Sequence, residues 1–485
     1  MSTQLDTATP VQNGVLANLR VHPVCIAIDR FLRTPWYFVM VGQLALLSST
    51  FALELITYTC YILIAIFIVL LGKDFLPLTP LIVLCYISPS IANNPGLNSN
   101  SVFSGISGIY LLCIASIFLL CLIIRLCTDG QIGQRAFLFC ERRLLSGMLL
   151  LGAAYILAGA FSSNYTANGF RNALFGLIQF GSVFLFYFLF TGTIRWKDVS
   201  KNYLAWAGLC IGGVIFFQIA HIYLFNGVLV DWQIDRNAIY SGWGNCNNIG
   251  TMLAITIPFV FQLACTQKRP WVYEIIALLF LGGVVLTCSR GSILAAAITY
   301  ALSSAVLIYK DLRRKNGRIT RLIILAALIP LAVVFFHKEL VYFFESLISR
   351  GWDPSQRDEI YMEGIKQFFR FPVFGGSFYP SDYVPFEFSS VQEFSAFFPP
   401  RWHNTFVQML ASCGIVGLGA YIYHRYQTVK LLLKKPSFGK GFIGLSILVL
   451  LGASLVDCHF FNVGPTMFYS VALAFAEKAD TRLAI

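Results

Sequence analysis

The chain alternates between long apolar runs and short polar connectors over most of its length. Runs that suit a bilayer crossing, which takes about 20 residues, lie near 103–126, 144–162, 173–192, 202–226, 247–266, 271–289, 291–309, 322–337, 404–423 and 441–456. Shorter candidates lie at 35–53, 55–71, 78–91 and 464–477. The pattern predicts an all-α fold, a polytopic integral membrane protein of about 12 to 14 transmembrane helices.

Composition supports the same class. Hydrophobic residues make up 57% of the 485 residues, charged residues make up 12%, and the mean hydropathy is +0.71. No water-soluble domain of this size hides so much apolar surface, so lipid is the expected solvent for most of the chain. Residues 1–34 are polar and basic and lack the apolar core of a removable signal peptide, so a cytoplasmic N-terminal tail is expected.

Basic residues indicate the orientation of the helices. They cluster in alternate connectors, at Arg135/Arg142/Arg143, Arg195/Lys197/Lys201, Lys268/Arg269, 310–318 and Lys430/Lys434/Lys435/Lys440. The positive-inside rule places these connectors, and both chain termini, in the cytoplasm. The net charge of +12 is spread over many short loops rather than one face, so nucleic-acid binding is not expected.

This orientation divides the chain into four parts. They are the tail 1–34, transmembrane helices within 35–337, one large periplasmic loop at 338–402, and C-terminal transmembrane helices with a short cytoplasmic tail at 403–485. Aromatic residues make up 18 of the 65 residues of the loop, which favours a body folded against the membrane over a disordered linker. Short helices are expected there at 338–349 and 356–370.

Three outward arginines need partners. Arg290 stands alone between two apolar runs, Arg236 precedes an Asn-rich helix start, and Arg357 begins a helical pattern. Taken singly, they fit a snorkelling side chain, an ion pair and a solvated helix face, respectively. Taken together, they fit a lipid-linked phosphate or diphosphate, because arginine contacts phosphate oxygens in a bidentate manner and stays charged.

A histidine stands where an outward loop becomes an apolar helix. Because His403 follows Pro399-Pro400, it is expected on the first helical turn, where the positive helix end disfavours a charged imidazole. A neutral imidazole suits proton abstraction from a hydroxyl. Asn404, Gly414 and Gly417 are expected to form a helix-packing motif, in which the two glycines share the helical stripe of His403 and let another helix approach. An interfacial histidine on an ordinary packing helix is the alternative.

The same residues resemble the O-antigen ligase and O-antigen polymerase superfamily of bacterial envelope glycosyltransferases. The ligase motif reads here as His403, Asn404, nine residues, Gly414, two residues and Gly417. Three family-like stretches precede it in order, GNCNNIGTMLAITIPF at 244–259, CSRGSILAAA at 288–297 and RDEIYMEGIKQFFRFPVFGGSFY at 357–379. The resemblance covers roughly 230–425.

The resemblance implies a function for each of these residues. A ligase transfers glycan from undecaprenyl diphosphate to a lipid A-core hydroxyl at the periplasmic face of the inner membrane. His403 would be the general base, and Arg290 and Arg236, assisted by Arg357, would hold the diphosphate. No metal or cofactor is expected, since outward loops lack an Asp-x-Asp pair and arginines supply the positive charge. An inverting transfer follows if no covalent enzyme intermediate forms. The oligomeric state is not predicted.

Three alternatives stay open. A repeat-unit polymerase uses the same donor, although no glycine follows the outward arginines at the spacing of an Arg-x10-Gly motif. A protein O-oligosaccharyltransferase shares the histidine region. An organic-anion transporter would bind cargo with outward arginines, but it predicts inverted repeats that this chain lacks and more buried charges than Glu54, Glu274 and Asp457.

Overall fold

The computed structural model describes most of the chain. The described residues are 15–88, 108–129, 142–313 without 195, 197, 198, 226–228, 231, 232, 235–238, 242 and 243, then 357–379 and 401–478. This part is almost entirely helical, which confirms the all-α membrane fold. Two-residue strands pair as Leu229–Val230 with Gln233–Ile234 and as Tyr240–Ser241 with Gly244–Asn245, in two antiparallel ladders.

Sixteen helices are numbered here in chain order within the described residues. They are α1 Val15–Arg20, α2 Pro23–Phe31, α3 Pro35–Phe51, α4 Glu54–Leu70, α5 Leu78–Ile87, α6 Gly108–Thr128, α7 Arg142–Ile156, α8 Ser163–Thr193, α9 Tyr203–Phe225, α10 Cys246–Thr266, α11 Pro270–Leu286, α12 Arg290–Arg313, α13 Arg357–Arg370, α14 Thr405–Leu433, α15 Phe438–Ala453 and α16 Val463–Lys478. A short 3-10 helix, His459–Phe461, precedes α16.

Within the described residues, five stretches are long and apolar enough to cross a membrane, Gly169–Thr193, Tyr203–Phe225, Cys246–Thr266, Arg290–Asp311 and Thr405–Leu433. Six further apolar helices are 10–17 residues long. The predicted helix count stays a prediction, because the expected span 322–337 lies outside the described residues. The domain boundaries also stay predictions, and the expected helix 338–349 lies outside the described residues. The helix expected at 356–370 is confirmed as α13.

Helix α10 lies at the centre of the bundle and is buried on nearly every side. It packs against α9, α11, α12 and α15. A helix that is apolar all round is stable only inside such a ring of neighbours. Close approach to α9 depends on Gly208 and Gly212, where a Cβ would lie closer than 3.0 Å to Phe259 and Thr256. The bundle therefore fixes the N-terminal end of α10, which carries Asn247 and Asn248.

Helix α14 is broken at Gly414, which has φ 65° and ψ −161°. The ring centroids of Phe406 and Tyr421 lie 5.5 Å apart. In a straight helix, 15 residues would separate them by about 22 Å along the axis. The two halves of α14 therefore fold toward each other, and the continuous stripe expected from His403 through Gly417 is wrong. Only glycine adopts this backbone conformation readily.

The backbone that follows α13 docks into this break. Gly376 N donates to Ala411 O at 2.7 Å and Ser377 N to Ser412 O at 3.2 Å. In the opposite direction, Ile415 N donates to Pro372 O at 2.9 Å and Val416 N to Val373 O at 3.2 Å. These bonds satisfy peptide groups that the break frees within the bundle. The segment close to Gly414 is thus a loop rather than another helix.

Gly417 has a different environment from the one expected. The three atoms nearest to a Cβ at Gly417 would belong to Cys413 and Met409 of its own helix. The distortion at Gly414 brings the turn that carries Met409 and Cys413 close to Gly417. The missing side chain of Gly417 therefore makes room for the bend in α14.

Candidate active site

Residues 454–462 connect α15 to α16 and are called here the site segment. Its backbone receives hydrogen bonds from two elements that carry predicted site residues. Asn404 Nδ2 donates to Leu455 O at 2.8 Å, and Arg357 Nη1 donates to Val456 O at 2.6 Å. Thr405 N donates to Ser454 O at 3.0 Å. The site segment therefore holds the starts of α13 and α14 together.

His403 lies just before α14 rather than on its first turn. Asn404 is the N-cap, and its Oδ1 accepts hydrogen bonds from Phe406 N at 2.8 Å and Val407 N at 3.2 Å. Asparagine is a preferred cap because its side chain satisfies these otherwise unpaired donors. His403 adopts φ 48°, and its carbonyl accepts a hydrogen bond from Tyr361 at 3.1 Å. Asn404 is thus a capping residue, not a helix-packing one.

The imidazole of His403 faces the carboxylate of Asp457. His403 Nδ1 lies 3.4 Å from Asp457 Oδ1, with the histidine side chain 37% exposed and the aspartate side chain 9% exposed. Asn247 Nδ2 donates to Asp457 Oδ2 at 3.0 Å, and Cys458 N donates to Oδ1 at 2.7 Å. The arrangement leaves the outer side of the ring accessible while a buried acceptor faces Nδ1.

Asp457 is held in its charged form. Burial raises the pKa of Asp457, but the His403 ring, the nearby His459 and the Cys458 N–H together hold that pKa well below its usual range. A buried aspartate with these donors keeps its negative charge at neutral pH. It can therefore orient an imidazole and stabilise the imidazolium that forms when the ring accepts a proton.

His459 links the site segment to α10. Its Nδ1 pairs with Asn248 Oδ1 at 3.2 Å and its Nε2 with Thr251 Oγ1 at 3.1 Å. Burial lowers the pKa of His459 to about 4. The negative charge of Asp457 acts in the opposite direction, whereas nearby arginines and His403 lower the pKa further. His459 is therefore neutral at neutral pH and suits a structural hydrogen-bond network.

Two of the predicted arginines, Arg290 and Arg357, belong to elements that reach residue 456. Arg290 is exposed at the first residue of α12, and a Cβ on the adjacent Gly291 would lie closer than 3.0 Å to Val456. Arg357 binds the carbonyl of the same valine. The turn carrying Arg290 and the start of α13 thus reach one point of the site segment. Arg236 lies outside the described residues.

Arg401, which is not among the predicted site residues, also reaches the site segment. Arg401 Nη1 donates to Asn462 Oδ1 and lies 3.5 Å from Cys458 O. Asn462 Nδ2 in turn donates to Asn248 Oδ1. Arg401 therefore connects the approach to His403 with the N-terminal end of α10.

Sequence reasoning did not assign roles to Asp457, His459, Asn248 or Arg401. Asp457 drew notice only as a buried charge, and the Asn-rich stretch at 244–248 only as part of the resemblance. The signal that was available is the run LVDCHFFN at 455–462, since ionisable residues inside an apolar region need partners. Their partner could not be identified without the packing of α10, α13 and α14.

No group of three His, Cys, Asp or Glu side chains within the described ranges is placed to hold a metal ion. The positive groups beside the His403–Asp457 pair are arginines. The absence of a metal in the reaction stays a prediction.

The sequence comparison bears on the same elements. Residues 275–422 match the O-antigen ligase family. The ligase match covers about a third of the chain and includes Arg290, Arg357 and the motif from His403 to Gly417. It supports the O-antigen ligase and polymerase superfamily, whose members are glycosyl-transferring enzymes. Asp457 lies beyond the matched ligase region. No curated protein matches the chain at a significant level.

Proposed function

We propose that the protein is an O-antigen ligase that transfers glycan from undecaprenyl diphosphate to a hydroxyl of the lipid A-core oligosaccharide. The observation that carries this proposal is the His403–Asp457 pair, at 3.4 Å, on a segment that also contacts the elements bearing Arg290 and Arg357. The ligase family match over 275–422 supplies the reaction class. The lipid-linked donor and the acceptor belong to the proposal.

His403 serves as the general base. The acceptor hydroxyl oxygen attacks the anomeric carbon of the donor sugar, and the bond from that carbon to the diphosphate oxygen breaks. His403 takes the hydroxyl proton on the ring nitrogen that does not face Asp457, and the lipid diphosphate leaves with the bonding electrons. Asp457 orients the ring and stabilises its positive form. Attack opposite the leaving group inverts the anomeric configuration.

The arginines stabilise the leaving group. Charge grows on the diphosphate as the glycosidic bond breaks, and fixed positive groups beside that charge lower the barrier. Gly291, next to Arg290, lies against Val456, and Arg357 donates to the Val456 carbonyl, which supports a shared role for the two arginines near His403. Arg236 is assigned the same role from the sequence alone. The arginines provide the positive charge without a metal ion.

The charge pattern supports a periplasmic site in the bacterial inner membrane. The far end of α14 and the start of α15 carry Lys430, Lys434, Lys435 and Lys440. The positive-inside rule assigns that end to the cytoplasm. The second half of α14 then runs from the cytoplasmic lysines toward the break at Gly414 on the periplasmic side. We propose that the site at His403 opens to that side and that both termini are cytoplasmic.

A deletion strain, analysed on lipopolysaccharide gels, tests the proposal. Loss of a ligase leaves bare lipid A-core while polymerised glycan accumulates on the lipid carrier. Core bearing a single repeat unit would instead identify a polymerase. Unchanged lipopolysaccharide with loss of glycan from proteins would identify a protein O-oligosaccharyltransferase, and unchanged glycans throughout would favour a transporter. Complementation with the wild-type gene and with the His403→Ala variant links the phenotype to the site.

A further inference from the structure

A second charged group lies directly beneath the site segment. Arg425 belongs to the half of α14 that follows the break, and its three guanidinium nitrogens are buried. None of them makes a hydrogen bond of ordinary geometry within the described part of the chain. Its polar neighbours are the hydroxyl groups of Tyr421 and Tyr469, and a charge inside a membrane-spanning helix needs more stabilisation than two hydroxyl groups give.

Three aromatic rings surround this guanidinium. Its Cζ lies 3.8 Å from the ring centroid of Phe460, 4.7 Å from that of Tyr421 and 4.8 Å from that of Tyr469. At 3.8 Å the group stacks on Phe460, and a planar guanidinium is the cation best suited to stacking. Removal of water strengthens such cation–π contacts. The cage therefore supplies attraction from three ring faces in addition to that of the two tyrosine hydroxyl groups.

The cage is itself well fixed. Tyr469 OH hydrogen-bonds to Thr428 Oγ1 at 2.8 Å and to His424 Nε2 at 3.0 Å. Phe460 is completely buried and also lies 5.6 Å, centroid to centroid, from each of the two tyrosines. Arg425 thus joins α14 and α16 to a ring that belongs to the site segment.

Phe460 is the third residue after Asp457 and directly follows His459. The position of Phe460 therefore determines where the site segment lies relative to α14, and with it where the Asp457 carboxylate lies relative to His403. We propose that Arg425 is a positioning residue, which acts through Phe460 to hold Asp457 against His403. The catalytic half of this inference rests on the proposed glycan transfer. The structural half, the fixing of residues 454–462, does not.

Two substitutions and their combination test the inference. Arg425→Met removes the charge at similar length, and Phe460→Leu removes the ring. With purified protein and a lipid-linked glycan donor, each is expected to lower kcat by about 10- to 100-fold with KM for the donor within about threefold, because the groups are displaced rather than lost. The double variant is expected to be no worse than either single one, since both break the same contact. Arg425→Lys keeps the charge but not the stack, so it should retain an intermediate kcat.

Hydrogen exchange provides a readout that does not need activity. Peptides from residues 454–462 should exchange about tenfold faster in Arg425→Met and Phe460→Leu. They should be unchanged in Tyr426→Leu, a matched control at a 60% exposed neighbour on the same helix. Peptides from α10 should be unchanged in all of these variants.

Failure of the two proposals gives different results. A wild-type protein without transfer activity contradicts the proposed function, and the exchange data then still test whether Arg425 fixes the segment. Normal kcat per folded molecule in Arg425→Met, additive losses in the double variant, or unchanged exchange at 454–462 would each overturn the positioning role. If Arg425→Met does not fold, Arg425→Lys and Phe460→Leu carry the same comparison.

Discussion

His403 Nδ1 lies 3.4 Å from Asp457 Oδ1, although the two residues belong to different connections of the chain. The loop before α14 supplies the histidine, and the connection between α15 and α16 supplies the carboxylate. At this separation the two groups are within ion-pair distance without the geometry of a formed hydrogen bond, and catalytic pairs of this kind tighten when substrate binds. The relationship explains why a half-exposed histidine and a buried aspartate form one chemical unit.

Asp457→Asn tests that unit. The amide keeps the size of the side chain but removes the charge that stabilises imidazolium, so kcat should fall by at least about 100-fold with little change in KM. Asp358→Asn, an exposed carboxylate on the first turn of α13, is the control and should retain wild-type kcat. Steady-state rates on equal amounts of folded protein measure both. Full activity in Asp457→Asn would remove the aspartate from the mechanism.

The arginines beside Val456 are expected to act on the departing diphosphate. Arg290→Ala and Arg357→Ala should each lower kcat/KM by about 100-fold, because fixed charge at the leaving group is lost. Arg370→Ala, at the exposed last residue of α13, serves as the control and should stay within about twofold of wild type. Competition by a soluble diphosphate lipid analogue measures donor binding separately. Equal losses in all three variants would point to general destabilisation instead.

Two glycines on α14 make a matched pair for stability. Gly414→Ala places a Cβ at φ 65° and closer than 3.0 Å to Val373 O, whereas a Cβ at Gly419 meets nothing within 4 Å. Gly414→Ala should therefore destabilise the protein by about 1 to 3 kcal/mol or more, and Gly419→Ala should stabilise it by up to about 1 kcal/mol. Melting temperatures in detergent check the order. An unaffected Gly414→Ala protein would contradict the break in α14.

Stability should depend on pH through His459. The folded-state pKa of about 4 lies below the ordinary value of 6.5, so the unfolded chain binds this proton first. Between these two pH values the unfolded state holds more protons, and the free energy of unfolding falls by about 3 kcal/mol as pH is lowered from 6.5 to 4. Melting curves across this range should be flatter for His459→Gln than for wild type.

The fold class and much of the candidate site could be predicted from the sequence. Apolar run length and the placement of basic residues identify an all-α membrane protein, because a chain segment in lipid must satisfy its backbone hydrogen bonds internally, as a helix does. Arg290, Arg357 and His403 stood out as polar groups beside apolar runs. In the structure, all three come to the site segment, directly or through a neighbouring residue. The position of Arg236 stays a prediction.

The break in α14 and the role of Asp457 could not be predicted. A run of apolar residues around Gly414 is read as one continuous helix, since a single glycine is tolerated within a helical pattern. Its positive φ becomes favourable only because residues 372–377 supply hydrogen-bond partners to the freed peptide groups. Likewise, Asp457 gains its partner through the tertiary packing of α13, α14 and α15. Such long-range pairings have no local signature.

Transfer by purified protein tests the central claim most directly. Wild-type protein and His403→Ala are incubated with undecaprenyl-diphosphate-linked glycan and lipid A-core acceptor, in the presence of a chelator. The account predicts glycan joined to the acceptor by the wild-type protein, and no joined product above background from an equally folded His403→Ala protein. Two results would contradict the account. The first is wild-type protein that transfers no glycan in the chelator but recovers transfer when metal is added. The second is His403→Ala protein that transfers as much glycan as wild type.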